Sequence, residues 1–333
     1  MTKMTCLALF FSLFFGVVAA RAANVGVTDD PLVVGGGARP LGMGRAFAAL
    51  ANDADAVFVN PAGAASLKEP QAMAMFTNLL GGAVYYSEYC GALPADFGSI
   101  SLGFIDTGVK DITTIVNSQE VLTDYYDSVL AFNYASQLSR FFQYGENVLV
   151  GLNFKIFNRG FTGGYNQSST GFSSDFGIKY VASPYLNFAL VRQNFLPVSL
   201  GAGIRTGGGA QEAVSGMTKL ALAVKPVPFD GTLALAGELD IPSLSGDPTT
   251  AHFGVEWKTT PNFYVRAGLD DNVDSAAPGG ASWNPTIGTS LIYAGFRMDY
   301  AYHPYYNDPA LAASYISFSY SGDPWLALKG RTD

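Results

Sequence analysis

The sequence predicts an all-β protein, a transmembrane antiparallel β-barrel of about fourteen strands. Three observations carry this. Residues 71–321 form a succession of segments with period-two hydropathy, each near the roughly 9–11 residues that a tilted membrane strand needs. Their connections alternate between long and short. Charged residues make up only 14% of the chain, against roughly 25% in ordinary soluble domains. A soluble secreted β-sandwich would cover its outside with charge, so this shortage favours a barrel whose outer face meets lipid.

The period-two pattern is clearest in four segments. In 148–156 the apolar set Val148, Val150, Leu152, Phe154 and Ile156 interleaves with Leu149, Gly151, Asn153 and Lys155. In 252–258, Phe253, Val255 and Trp257 alternate with His252, Gly254, Glu256 and Lys258. In 263–269, Phe263, Val265, Ala267 and Leu269 alternate with Tyr264, Arg266 and Gly268. In 315–321, Ile316, Phe318 and Tyr320 alternate with Tyr315 and serines. Such a pattern sets one face toward lipid and the other toward a polar interior.

Long connections fall near 107–124, 161–169, 195–215, 242–250, 270–283 and 303–312. Short ones fall near 94–97, 183–184, 226–231, 259–261 and 293–294, with a slightly longer turn at 139–146. Short turns at one end and long loops at the other are the habit of bacterial outer-membrane barrels. The first hairpin, at Gly81-Gly82, is tight on the long-loop side, and 198–206 alternates weakly enough to leave the strand count open.

The first 22 residues read as a cleaved secretory signal peptide. Lys3 supplies the positive start, Leu7 to Val18 the apolar run, and Ala20-Arg21-Ala22 the small residues at the cleavage site. That run is too short to span a bilayer as a helix, and every later apolar run is soon interrupted. Since only helices and closed barrels satisfy backbone groups in lipid, the predicted location is the outer membrane. Removing Lys3 and Arg21 with the leader leaves 17 basic and 27 acidic residues, a net charge of −10. That balance argues against nucleic acid as a partner. Cys6 leaves with the leader, so Cys90 has no intrachain partner.

The polar faces carry charges of both signs: Lys155, Asp175, Lys179, Glu238, Asp240, Glu256, Lys258, Arg266, Arg297 and Asp299. A basic residue facing lipid near the midplane would cost about 2–4 kcal/mol, so these are expected in the lumen. Mixed signs point to mutual pairing more than to a selective solute path.

Residues 23–70 differ from the rest, being rich in Gly, Ala and Pro without strand alternation. They include Gly35-Gly36-Gly37-Ala38-Arg39-Pro40-Leu41-Gly42-Met43-Gly44, then Asn52-Asp53-Ala54-Asp55, and Asn60-Pro61-Ala62-Gly63. Asn60 before a proline is biased away from helix, and Ala46 to Ala51 reads as a short helix between Arg45 and Asp53. The Gly42-x-Gly44 pair lacks the strand and β-α-β unit of a nucleotide loop.

This segment resembles the start of the PorV/PorQ and UPF0164-type outer-membrane proteins, which are similar in turn to FadL-type transporters of hydrophobic compounds. Gly254-Val255-Glu256, Arg266-Ala267-Gly268 and Asp299-Tyr300-Ala301-Tyr302-His303-Pro304 extend the likeness. The resemblance implies that 23–70 is a hatch folded inside a barrel of 71–321. Residues 322–333, with Trp325 and Lys329, form a tail where the family pattern ends on a strand. The glycine-rich 196–215 stretch, with Gly207-Gly208-Gly209, is a second departure.

The resemblance implies a surface or secretion-associated barrel; the alternative is a FadL-like transporter of long-chain fatty acids or other hydrophobic compounds. Expected partners are outer-membrane lipid and either a hydrophobic small molecule or secreted protein cargo. No cofactor is expected. His252 and His303 lie too far apart in sequence for a metal-ligand motif, and no catalytic constellation is visible, so an enzyme is not predicted.

Overall fold

Fourteen strands in the computed structural model follow one another around a closed barrel. They are β1 (Gln71–Leu79), β2 (Val84–Ala95), β3 (Gly98–Val116), β4 (Gln119–Gln137), β5 (Val148–Gly163), β6 (Gln167–Ser183) and β7 (Leu186–Gln193). They continue as β8 (Met217–Val224), β9 (Leu233–Pro242), β10 (Thr250–Thr260), β11 (Phe263–Val273), β12 (Ala281–Tyr293), β13 (Phe296–His303) and β14 (Ala313–Ser321). Each pairs antiparallel with its neighbours, and β14 returns to β1 with Ile316 opposite Phe76. The structure describes residues 27–28, 30–205, 209–244, 247–273, 281–304 and 312–322. The expected leader, Gly207 and Gly208, and the tail beyond Gly322 lie outside the described residues.

The pleat separates the two faces as the hydropathy period requires. In β5, Gly151, Asn153, Lys155 and Phe157 are buried while Leu152, Phe154 and Ile156 are exposed. In β10, His252, Gly254 and Glu256 are buried, and Phe253, Val255 and Trp257 are exposed. Trp257 stands 49% exposed while Lys155 is at 0%. That inversion of a soluble protein's rule is what a lipid-facing wall shows. At the short-turn end, Phe97, Phe141, Tyr185, Phe229, Tyr293 and Phe296 are all exposed, an aromatic girdle at the level of a membrane interface.

One side of the barrel rises higher than the other. β3 and β4 are 19 residues each, and β5 and β6 are 16 and 17, well beyond a bilayer's span. The expected 107–124 loop is instead a continuation of β3 and β4. Its β-branched run Ile112 to Val116 pairs with 119–123, and Asn117 and Ser118 turn it with φ of 51° and 63°. Two successive left-handed residues make the type I′ turn that matches strand twist. Similarly, 161–169 shrinks to a connection at 164–166.

Between β7 and β8 the chain leaves the wall. Asn194 takes φ 49°, a conformation Asn tolerates better than most residues. Its N–H donates to Asp175 Oδ1 at 2.9 Å, and its Nδ2 donates to Asp30 Oδ2 at 2.9 Å and Ser215 O at 2.8 Å. The excursion holds two short strands, Gly203–Arg205 and Gln211–Val214, paired with each other. The first also pairs with β6 at Thr170–Phe172, and the second pairs in parallel with Val27–Thr28. Thus the weak alternation of 198–206 is a three-residue strand, and β7 still pairs with β8 along its whole length. The barrel count stays at fourteen.

Residues from Asp30 to Ala64 run inside the barrel, where Asn52 alone is exposed among the residues whose side chains are described. They hold two one-turn helices, α1 (Ala38–Leu41) and α2 (Ala56–Val59), and 3₁₀ turns at Pro31–Val34 and Pro61–Ser66. The expected helix over Ala46 to Ala51 does not form. A single turn stands there instead, the Leu50 and Ala51 N–H groups donating to Phe47 O at 2.8 and 2.9 Å, while the Phe47 and Ala48 N–H groups donate to Glu238 Oε2 at 3.1 and 2.9 Å. Met43, Phe47, Val57 and their alanine neighbours pack against inward-facing Met75, Tyr86 and Ile105.

Candidate lumen site

The inner segment is fixed to the wall by charge. Arg39 of α1 bonds Asp53 at 2.8 Å and Glu256 of β10 at 2.7 Å. Glu256 also takes Arg266 of β11 at 2.7 Å, and Arg266 reaches Asp299 of β13 at 3.2 Å. Asp299 pairs with Arg297 at 2.8 Å, and Arg297 returns to Asp53 at 3.1 Å. The six groups therefore close a ring of alternating sign, three guanidiniums and three carboxylates, with Ser290 bonded to Asp299 beside it. Burial alone would push the Asp53 carboxyl up. The Arg39 and Arg297 charges outweigh that and hold it below the ordinary carboxylate range.

Two further clusters tie other stretches. Lys155 of β5 bridges Asp30 at 2.7 Å and Asp175 at 2.8 Å. Lys219 of β8 bridges Glu238 at 3.0 Å and Asp240 at 2.6 Å, while Glu238 holds the Phe47 and Ala48 backbone. Lys179 donates to the Ala51 carbonyl at 2.7 Å. Nine of the ten charges expected in the lumen, all but Lys258, thus make ion pairs or hydrogen bonds there. Lys258, half-buried, instead lies over the Tyr264 ring.

The Asn-Pro-Ala-Gly turn sits over two glycines of the wall. Asn60 Oδ1 accepts from Ala62 N at 3.1 Å, and Asn60 Nδ2 donates to Ala48 O at 2.9 Å. Pro61 O accepts from Asn133 Nδ2 at 3.2 Å. Beneath it lie Gly151 and Gly177, where an added Cβ would fall 2.3 Å from Pro61 backbone and from Asn60 Oδ1 respectively. The other motif residues also make close packings: Gly42 against Gly288, Gly44 against Leu269, and Gly63 against Ala51. Ala38 and Ala62 are fully buried.

Asp55 is not in the ring. Its Oδ1 accepts from the Cys90 thiol at 3.9 Å, and Oδ2 has no hydrogen-bond partner among the described residues. Glu88 of β2 accepts from Gly37 N at 3.0 Å. Burial, followed by the Asp53 carboxylate, pushes the Asp55 pKa up to about 8. The unfolded chain would release this proton near the ordinary 3.8, so the folded state loses stability as pH climbs from about 4 to 8. Asp55→Asn mimics the neutral form. It is expected to raise stability by about 2 kcal/mol at pH 8 and leave pH 4 unchanged, read from urea midpoints at the two values.

Two of these groups, Asp30 and Glu88, lie outside any motif, and Lys219 is marked only by its alternation with Leu220 and Leu222. His252 and His303, distant in sequence, converge on Asp270: His252 Nδ1 lies 2.7 Å from Oδ1, His303 Nε2 2.9 Å and Arg45 Nε 3.3 Å from Oδ2. Among the described residues no group of three or more His, Cys, Asp or Glu is arranged to hold a metal ion.

A cavity of about 220 Å³ remains between the inner segment and β7–β9 in the long-loop half of the lumen. Leu32, Leu41, Phe58, Val59, Met217 and Pro242 give it an apolar side. Asp30, Asn194, Ser215, Lys219 and Asp240 give it a polar one, and Asp247 in the exposed β9–β10 connection marks its outer end.

A closed antiparallel barrel of fourteen strands, apolar outside and threaded by its own N-terminal segment, defines the class. Its fold is that of solved channels for hydrophobic compounds. The Pseudomonas putida toluene transporter TodX aligns with a TM-score of 0.58 at 12% identity, over 90% of this chain and 100% of that one. A Pseudomonas aeruginosa FadL homologue aligns at 0.55 and 11% identity, over 85% and 97%. The CymD monoaromatic hydrocarbon channel aligns at 0.52 and 13% identity, over 87% and 98%. No family model and no curated protein matches. The likeness to FadL-type proteins is therefore one of fold, and the PorV/PorQ and UPF0164 resemblance rests on the sequence motifs alone.

Proposed function

We propose that this chain is an outer-membrane channel for small hydrophobic compounds, with its inner segment acting as a hatch. The observation that carries the reading is the cavity walled on one side by the hatch and on the other by β7–β9. A general pore for hydrophilic solutes would not be filled by its own chain from Asp30 to Ala64. The fold shared with channels whose names specify toluene and monoaromatic hydrocarbons supports the same reading, and it favours the transporter over the secretion-associated barrel.

Reconstituted into liposomes, the protein is expected to speed toluene entry several-fold over empty vesicles while leaving sucrose excluded. Equal toluene entry with and without protein would overturn the reading. A staple tests the hatch separately. An ideal Cβ at Gly42 lies 3.5 Å from the Ala301 Cβ, within disulfide range. The Gly42→Cys/Ala301→Cys pair should block toluene flux when oxidised and restore it when reduced; flux that persists in the oxidised protein would rule out a moving α1.

A surface-partner reading draws on the β3–β4 hairpin, whose exposed Ile115 and Leu122 (71% and 59%) stand near its tip. Shortening that hairpin would abolish co-purification of secreted cargo if this reading holds, and would leave toluene flux intact under the channel reading.

A further inference from the structure

We infer that the lumen cavity selects apolar molecules bearing a hydrogen-bond donor, such as a substituted phenol, over bare hydrocarbons and over carboxylates. The inference rests on the channel reading and refines it by specifying the head group.

Size comes first. A cavity of about 150 Å³ holds benzene, so about 220 Å³ suits one substituted ring rather than an extended chain. Phe58, Leu32, Leu41 and Met217 offer such a ring an apolar side.

The polar side decides the head group through its balance of donors and acceptors. The donor side chains are already engaged with acceptors of the protein, Gln193 Nε2 with Phe58 O at 3.5 Å. Lys219 Nζ gives to Glu238 and Asp240 at 3.0 and 2.6 Å. Asn194 Nδ2 gives to Asp30 and Ser215 O. Arg45 Nη2 gives to Val34 O at 3.2 Å, and its Nε lies beside Asp270. The acceptors are not used up. Among the described residues Asp240 Oδ1 and Asn194 Oδ1 are buried without a hydrogen-bond partner, and both residues line the cavity. The orientation of Asn194 is fixed by the two bonds its Nδ2 donates, so its oxygen is the atom left over.

Spare acceptors call for a donor. A hydroxyl on the ring would supply one. Toluene would leave both oxygens unsatisfied, which is unfavourable for buried groups. A carboxylate brings only acceptors, and the lining sets Asp30, Asp240 and Asp247 against Arg45 and Lys219, a negative balance that adds repulsion to the mismatch. The cavity thus ranks three ligands of similar size by head group alone.

The test uses those three probes on the full chain in lipid nanodiscs, titrated calorimetrically against empty nanodiscs. The expected order is p-cresol tightest, toluene about tenfold weaker, and p-toluate without measurable binding. Asp240→Asn, which weakens one acceptor, should cut the p-cresol advantage over toluene at least threefold. The ranking in the unsubstituted protein decides the matter if that variant does not fold. Equal affinity for toluene and p-cresol, or tighter binding of p-toluate, would overturn the donor inference while leaving the channel reading intact. Absence of binding by all three, together with no toluene flux in liposomes, would remove the channel reading itself.

Discussion

Gly177→Val is expected to expel the Asn-Pro-Ala-Gly turn from its seat and to lower stability by about 3 kcal/mol or more. At this position an ideal Cβ would lie 2.3 Å from Asn60 Oδ1 and 2.9 Å from the Pro61 ring. Neither neighbour has room to yield. Asn60 is held by its bonds to Ala62 N and Ala48 O, and Pro61 O is held by Asn133. Gly151→Val should do the same from the adjacent strand, where the clash is with the Pro61 backbone itself. Displacing the turn would also uncouple Asn133 from Asn153, which donates to Val57 O at 2.7 Å and Asp175 at 3.1 Å. The readouts are the urea midpoint and protease cleavage within residues 30–67, which the native barrel should protect. Gly91→Ala is the control, because a Cβ there meets nothing closer than 3.8 Å. If Gly177→Val unfolds like Gly91→Ala and the segment stays protected, the turn does not bear on the wall in the way described.

The wall was legible in the sequence because period two is a local property. Asn153, Lys155, Glu256 and Arg266 could be set inward from their neighbours alone, and their burial agrees. The outward rise of β3 and β4 was not legible. Beyond the membrane the lipid face no longer demands apolar residues, so Lys110 to Glu120 loses the contrast that marks a strand. The turn signal, Asn117-Ser118, was the remaining cue. Clusters within the lumen were illegible for another reason. Which charge meets which depends on the stagger between strands and on the path of the inner segment. Arg39 lies 217 positions from Glu256, and Arg297 lies 244 from Asp53. Glu88 was hidden by Tyr85, Tyr86 and Tyr89, aromatic residues on both faces of β2. Lys219 did alternate with Leu220 and Leu222, and that pattern would have placed it inside.

Arg39→Met should cost about 3–5 kcal/mol, the usual penalty for removing one partner of a buried ion pair. Arg39 joins the inner segment to the wall, and it contacts two carboxylates of the closed ring. Without it Asp53 keeps Arg297 and Glu256 keeps Arg266, but three carboxylates then share two guanidiniums inside the barrel. The excess charge cannot reach bulk water easily, because Asp53 and Glu256 have side chains only 4% and 8% exposed. If charge balance is what matters, adding Glu256→Gln should recover most of the loss, since two guanidiniums would again face two carboxylates. Arg266→Met should be rescued in the same way by Glu256→Gln, leaving Arg39, Asp53, Arg297 and Asp299 as a balanced set. The measurement is a double-mutant cycle on urea midpoints at low and high salt. A buried ring should show coupling that salt barely changes, because ions cannot screen what they do not reach. Coupling that vanishes in high salt, or a double variant no more stable than Arg39→Met, would mean that the six groups act as separate pairs rather than as one closed circuit.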